Sequence, residues 1–307
     1  AIHKKAVFPD LVARRMATMA NDIEQVTNEC VTRRLQTGAR DFMAEVGNRV
    51  PITVVSKLVG FNGKGSEIPK LLQAAFDSTA VVGATLSLGQ LARCLWRSLL
   101  TQRWIAGQLN ATSSEGDNLL ASVRRGIAAN ALSAAEGRAI IHIMLAAGGE
   151  STSSLLGSAV GILASDQALQ QTLRAQPELI PHFLEEVLRL ESPFRFHLRS
   201  VLHDTELGGV ALPADATVLL FWGAANRDPE MFDKPDEIDL ARPRTHMTFG
   251  RGIHTCIGAP LARLEGKIVL RTLLERTRRI SLDVDSPPRW VESLAVRRSD
   301  TPPLNLE

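Results

Sequence analysis

The sequence predicts a mainly α protein with a small β part near its C-terminus. Three observations predict it. Residues from about 11 to 49 carry apolar side chains at helical spacing, with no proline between Pro9 and Pro51. Ser133, with Glu136 three residues later, forms a capping box that opens a long apolar helix. After Pro193 the texture changes to short β-rich runs separated by glycine pairs.

The elements follow in order. The first helix covers about residues 11–49, and a short apolar helix over 51–59 is ended by Gly60. Two more helices are expected over 67–82 and 86–109, and the polar run 110–116 is a loop by composition. The helix opened by Ser133 runs to about residue 164, roughly 45 Å at 1.5 Å per residue. Gly148 and Gly149 stand in its middle, each costing about 1 kcal/mol relative to alanine. They need a reason, such as a kink or the close approach of a ligand. Residues 177–190 form another helix, stopped by Pro193. Residues 198–202 and 217–222 read as strands around Gly208-Gly209, and 228–245 as irregular chain. A helix over 259–278 and strands with turns over 280–307 complete the chain. The whole reads as one domain, 1–307, helical to about residue 192 and β-containing from about 193.

Lys and Arg number 35 against 33 Asp and Glu, a net charge of +2. That field is too weak to argue for nucleic acid or an anionic membrane as partner. Hydrophobic residues make up 45%, which supports a large core and excludes disordered classes. Cys30, Cys94 and Cys256 are too few and too scattered for a disulfide framework. They predict a reducing, cytoplasmic setting. The most apolar stretch, 139–164, is interrupted by Gly148 to Ser154. It lacks the run of about 18 uninterrupted apolar residues expected of a membrane span.

The strongest chemical signal is the run Phe249-Gly250-Arg251-Gly252-Ile253-His254-Thr255-Cys256-Ile257-Gly258. A cysteine among glycines, just before a helix, meets N–H groups and a dipole that stabilise a thiolate. Such a thiolate can ligate a metal. The same loop also reads as a buried cysteine in a glycine-rich turn. Zinc is a poor candidate because only His246, His254 and Cys256 are at hand. One thiolate suits an iron whose other ligands come from a macrocycle. A second signal is Ala147-Gly148-Gly149-Glu150-Ser151-Thr152. It can pass protons to a bound oxygen species, or it is a glycine kink with local hydroxyl bonds. A third is Glu186 with Arg189, one turn apart, which in isolation reads as a surface ion pair.

Together and in this order, the motifs resemble the cytochrome P-450 superfamily of haem-thiolate monooxygenases, bacterial soluble type. The loop is similar to the family signature at Phe249, Gly250, Gly252, His254, Cys256 and Gly258, continued by Leu261-Ala262-Arg263. Glu186-x-x-Arg189 resembles the K-helix motif, and Arg242 the meander arginine that completes its structural triad. Residues 147–164 and 222–229 resemble a mycobacterial subfamily, family 144.

The resemblance implies haem b as cofactor and Cys256 as its axial metal ligand. It implies that Phe249, Gly250 and Gly258 surround the sulfur, and that Ala147 and Gly148 border the haem. It places His254 and Arg199 at the propionates, with His3 at the other propionate and Val7 where the family often has Arg. Glu150, Ser151 and Thr152 are implied in catalysis, as the acid and hydroxyls of proton delivery. The implied activity inserts one oxygen atom from O2 into a small hydrophobic substrate. The implied partner is a ferredoxin or flavodoxin with its reductase, docked in part on Arg251, Arg263, Lys267 and Arg271. Because His3 already aligns with the C helix, the resemblance implies a cytochrome P-450 fold lacking helices A and B and the first sheet strands. The chain is thus expected to be an N-terminally truncated form. Two other readings stand beside this one: a haem-binding or sensing remnant without turnover, and a peroxide-driven haem-thiolate enzyme.

Overall fold

The computed structural model describes residues 11–61, 76, 86–116, 118–283, 289–301 and 304–307. His3 lies outside these residues, as does the helix expected over 67–82 except for Phe76.

The helical run expected over 11–49 is divided. Helix α1, Leu11–Thr37, stops at Gly38, whose φ of +64° is left-handed and whose N–H closes on the Arg34 carbonyl at 3.1 Å. A π turn, Met43–Gly47, then leads into α2, Arg49–Val59. Pro51 sits in the first turn of α2, where its missing N–H has no helical partner to lose. Helix α3, Leu88–Ala111, is opened by a reciprocal Ser87–Gln90 capping box.

Two helices have no counterpart in the sequence reading. Helix α4, Leu119–Ala128, is capped by the Asn118 side chain, which accepts from Ala121 N–H at 2.9 Å. Helix α6, Gln167–Ala175, is capped in the same way by Asp166. Both are short, so the single-residue caps were their only local signal. Between them runs α5, Ala134–Ser165, opened by the Ser133–Glu136 capping box. A 3-10 turn, Pro177–Leu179, enters α7, Ile180–Leu190.

The β part consists of antiparallel pairs. Strand β1, His197–Ser200, pairs with β4, Thr217–Leu220, setting Arg199 opposite Val218. Between them β2, Thr205–Leu207, and β3, Val210–Leu212, form a hairpin. Its turn is Gly208-Gly209, both at positive φ, as a type I′ turn requires. A helical turn, α8, Trp222–Ala225, and then α9, Ala259–Arg276, follow. The chain closes with β5, Ile280–Leu282, β6, Arg289–Trp290, β7, Ser299–Thr301, and β8, Leu304–Leu306, pairing β5 with β8 and β6 with β7.

Helix α5 is the axis of the fold. Its C-terminal half buries Leu155, Leu156, Ala159, Val160 and Leu163 among Ile23 and Val31 of α1, Phe183 and Val187 of α7, and Val269 and Leu273 of α9. Its N-terminal half packs Ile141 and Leu145 against Ile52 and Val55 of α2 and Leu120 and Val123 of α4. Each such side chain contributes about 1.5–3 kcal/mol by leaving water. By length and composition α5 could cross a membrane, with mean hydropathy 1.2 in its most apolar stretch. In the fold 56% of that stretch is buried, and a helix apolar on all sides is what a central core helix requires. Gly148 has a packing role: a Cβ there would lie 2.8 Å from Cγ2 of Val55. The glycine lets α2 cross α5 closely.

Candidate active site

The cysteine loop is shaped by two left-handed glycines, Gly250 at φ +64° and Gly252 at φ +70°. They fold the loop on itself, so that the Cys256 N–H donates to the Phe249 carbonyl at 2.8 Å and the Thr255 N–H to Gly252 at 3.1 Å. A 3-10 turn, Gly252–His254, lies between. Cys256 is exposed, just ahead of the first turn of α9, where the helix dipole favours a thiolate.

Over the loop lies a cavity of about 900 Å³, its mouth included. Phe249, Cys256, Gly258 and Ala262 line one side, and Ala147, Gly148, Ser151 and Thr152 of α5 line another. Met19, Val55, Leu119 and Met144 make the remaining wall apolar. One acid reaches this lining: Glu265 is fully enclosed, with no hydrogen-bond partner at Oε2. Burial raises its pKa well above the ordinary carboxylate range.

The six residues 147–152 divide between two surroundings. The Ser151 hydroxyl donates to the Ala147 carbonyl one turn back, at 2.5 Å. Thr152 is buried beside it. Glu150 is not on the cavity wall; it is buried and accepts from Arg298 Nε at 3.2 Å. Arg298 in turn lies 3.9 Å from the centre of the Phe76 ring. Burial pushes the Glu150 pKa up to about 7, against the charge and hydrogen bond of Arg298.

Arg199 and His254 act on a common neighbour. The pKa of His197 is lowered first by burial, then by the positive charges of these two side chains. His197 also accepts from Trp222 Nε1 at 2.6 Å. Arg199 and His254 thus lie within electrostatic reach of His197, which was not singled out in the sequence.

Glu186, Arg189 and Arg242 form a single buried cluster. Arg189, 1% exposed, donates Nε and Nη2 to the two Glu186 oxygens at 2.8 and 2.9 Å. Its remaining donors reach the carbonyls of Asn226, Pro235 and Glu237 at 3.0, 2.6 and 2.9 Å. Arg242 Nε and the Asp239 N–H also donate to Glu186, at 3.2 and 3.0 Å. Burial alone would raise the Glu186 pKa, but these donors lower it. The cluster ties α7 to the irregular chain ahead of the cysteine loop.

Its neighbour Glu185 was passed over in the sequence. It is buried and accepts from Arg263 of α9 at 2.7 and 2.8 Å and pairs with His246 Nε2 at 3.1 Å. The Glu185-Glu186 doublet was the available signal. Adjacent helical positions diverge by about 100°, so burying both demands two separate sets of partners. Arg263 is thus committed internally, and Arg271 pairs with Glu275 at 2.8 Å. Lys267 has no ion pair among the described residues. The basic stripe expected along α9 is therefore largely charge-compensated.

The geometry describes a class of protein before any comparison: a mainly helical body in which one cysteine faces an apolar slot under the middle of the central helix. The family model for cytochrome P450 matches residues 111–296. Cytochrome P450 144 of Mycobacterium tuberculosis is 39% identical over 302 residues, covering 97% of this chain and 68% of the relative. The 6-deoxyerythronolide B hydroxylase of Saccharopolyspora erythraea is 32% identical over 321 residues, covering 99% and 75%. The structure of the tirandamycin C-bound P450 monooxygenase TamI superposes with a TM-score of 0.88 at 27% identity, covering 100% of this chain and 75% of that one. The chain belongs to the cytochrome P450 family, a family of monooxygenases that carry haem b. The expected likeness to family 144 is borne out.

Proposed function

We propose that this chain inserts one oxygen atom from O2 into a hydrophobic organic molecule, taking electrons from a ferredoxin- or flavodoxin-type partner. The observation that carries the reading is the facing of Cys256 and the α5 segment across one apolar cavity. The names of the hydroxylase and monooxygenase relatives support oxygen insertion.

The donor set fits haem. No group of three or more His, Cys, Asp or Glu side chains that could hold a metal ion occurs among the described residues. A single sulfur in an apolar slot suits a metal whose other ligands come with it. Cys256 would hold the haem iron through its sulfur, with Phe249 and the N–H groups of the Gly250–Gly258 loop around that sulfur. Ala147 and Gly148 would border the group from α5, and Arg199 and His254 would meet its carboxylates. Haem, when bound, supplies the oxygen activation.

The chain's own residues do the rest. The apolar wall takes up the substrate and excludes water. The Ser151 and Thr152 hydroxyls hold a proton at the cavity, and Glu150, buried behind them, resupplies it with a pKa near neutrality. Glu186, Arg189 and Arg242 keep the chain ahead of the cysteine loop in place. Lys267, with Arg251, steers an acidic electron donor to this face. Such a donor and the three cysteines fit a cytoplasmic setting.

The test is the carbon monoxide spectrum of the reduced, haem-loaded chain, followed by turnover. A thiolate-type red-shifted band that vanishes in Cys256→Ser, with product formed from reductase and ferredoxin, is expected. No haem uptake would support a remnant without turnover, and product from peroxide alone a peroxide-driven enzyme.

A further inference from the structure

Against Phe249 of the cysteine loop lies a charge cluster that the proposed mechanism does not use. It joins three elements: Glu185 on α7, His246 in the chain leading to the loop, and Arg263 on α9. Arg263 meets Glu185 through two parallel N–H donors at 2.7 and 2.8 Å, the geometry that fixes a guanidinium plane. The same guanidinium carbon lies 4.6 Å from the centre of the Phe249 ring. The Phe249 carbonyl in turn receives the Cys256 N–H. The carboxylate therefore reaches the cysteine through one cation and one ring.

The charges can be assigned. His246 Nδ1 accepts from the Thr248 N–H at 3.2 Å, so the ring proton sits on Nε2 and is donated to Glu185 Oε2. The cluster pairs one carboxylate with the Arg263 guanidinium, with the His246 ring beside them. Glu185 is held ionised because its hydrogen bonds outweigh its burial. The Arg263 pKa is raised first by its hydrogen bonds to Glu185 and least by the neighbouring Cys256.

We propose that Glu185 is a positioning residue for the cysteine ligand: it holds Arg263 over the Phe249 ring and cancels the charge that Arg263 would otherwise direct at the Cys256 sulfur. The inference rests on the reading of Cys256 as the axial ligand. Removing the anion leaves a cation near the iron site, which favours the reduced state. Removing the cation leaves an anion, which favours the oxidised state. Removing both restores neutrality.

The experiment measures the reduction potential of the haem-loaded full chain at pH 8 for Glu185→Gln, Arg263→Gln, Glu185→Asp and the double variant Glu185→Gln/Arg263→Gln. The expected result is a positive shift, a negative shift, little change, and a return toward the parent value. If Glu185→Gln fails to hold haem, recovery in the double variant supports the proposal and failure in both overturns it. Shifts of the same sign in the two single charge variants, or none in either, also overturn it. These outcomes are read with the carbon monoxide band. A parent chain without a thiolate-type band defeats the Cys256 reading itself, whereas a normal band with unmoved potentials defeats only the role of Glu185.

Discussion

The Glu150 carboxylate lies 3.2 Å from Arg298 Nε and behind the cavity wall, while the next residue, Ser151, opens onto the cavity. Successive positions on one helix thus serve a buried charge pair and a ligand slot. Arg298 comes from the chain leading into β7, far from α5 in sequence. The acid of the proposed relay is therefore held by an element whose approach only the fold creates.

That pairing sets a pH dependence of stability. The Glu150 pKa is raised from 4.5 to about 7, so its contribution is present in full below pH 4.5 and is lost as pH rises through 7. Between those values the parent is expected to lose about 3 kcal/mol relative to Glu150→Gln. Denaturant unfolding of both proteins at pH 5 and pH 8 measures the difference. Equal losses in the two proteins would remove the titration from Glu150.

Glu185 has the opposite sign. Burial acts to raise its pKa, but hydrogen bonds from Arg263 and His246 bring it down to about 2. Its contribution is present above pH 4.5 and lost as pH falls toward 2. In Glu185→Gln the acid limb of the stability curve between pH 4.5 and 3 should be shallower than in the parent. Parallel acid limbs would contradict the pairing.

Gly148→Ala tests the crossing of α2 and α5. The new Cβ would stand 2.8 Å from Cγ2 of Val55, too close without movement. The overpacking should cost about 1–3 kcal/mol, offset in part by the better helix propensity of alanine. Val55→Ala introduced beside it should restore much of the loss. Thermal unfolding that shows no rescue would place the strain elsewhere.

Arg189→Lys should be severely destabilising. An ammonium group cannot satisfy two carboxylate oxygens and three carbonyls at once. Breaking a buried pair of this kind costs about 3–5 kcal/mol. The expected outcome is a large drop in urea midpoint and poor recovery of folded chain. A midpoint within experimental error of the parent would show that lysine can replace the network.

Ser151→Ala separates the two hydroxyls. Loss of the bond to the Ala147 carbonyl and of the proton it holds should lower product and raise peroxide released per reductant consumed. The effect should exceed that of Thr152→Ala. Unchanged product and peroxide in Ser151→Ala would remove Ser151 from proton delivery.

The amino-acid order alone carried the helical class, the long central helix with its capping box, the outer strands on either side of Gly208-Gly209 and the cysteine loop. Each rests on chemistry within a few residues of chain: a cap, a period or a turn that needs positive φ. The break after Thr37 depended on one left-handed glycine inside a run whose apolar spacing continues past it. Short α4 and α6 owe their existence more to packing than to propensity. What only the tertiary structure decided is which charges meet. Glu150 with Arg298, Glu185 with Arg263 and His246, and Gly148 with Val55 are pairs distant in sequence. Burial and ion pairing act through space, so the folded body chooses their partners.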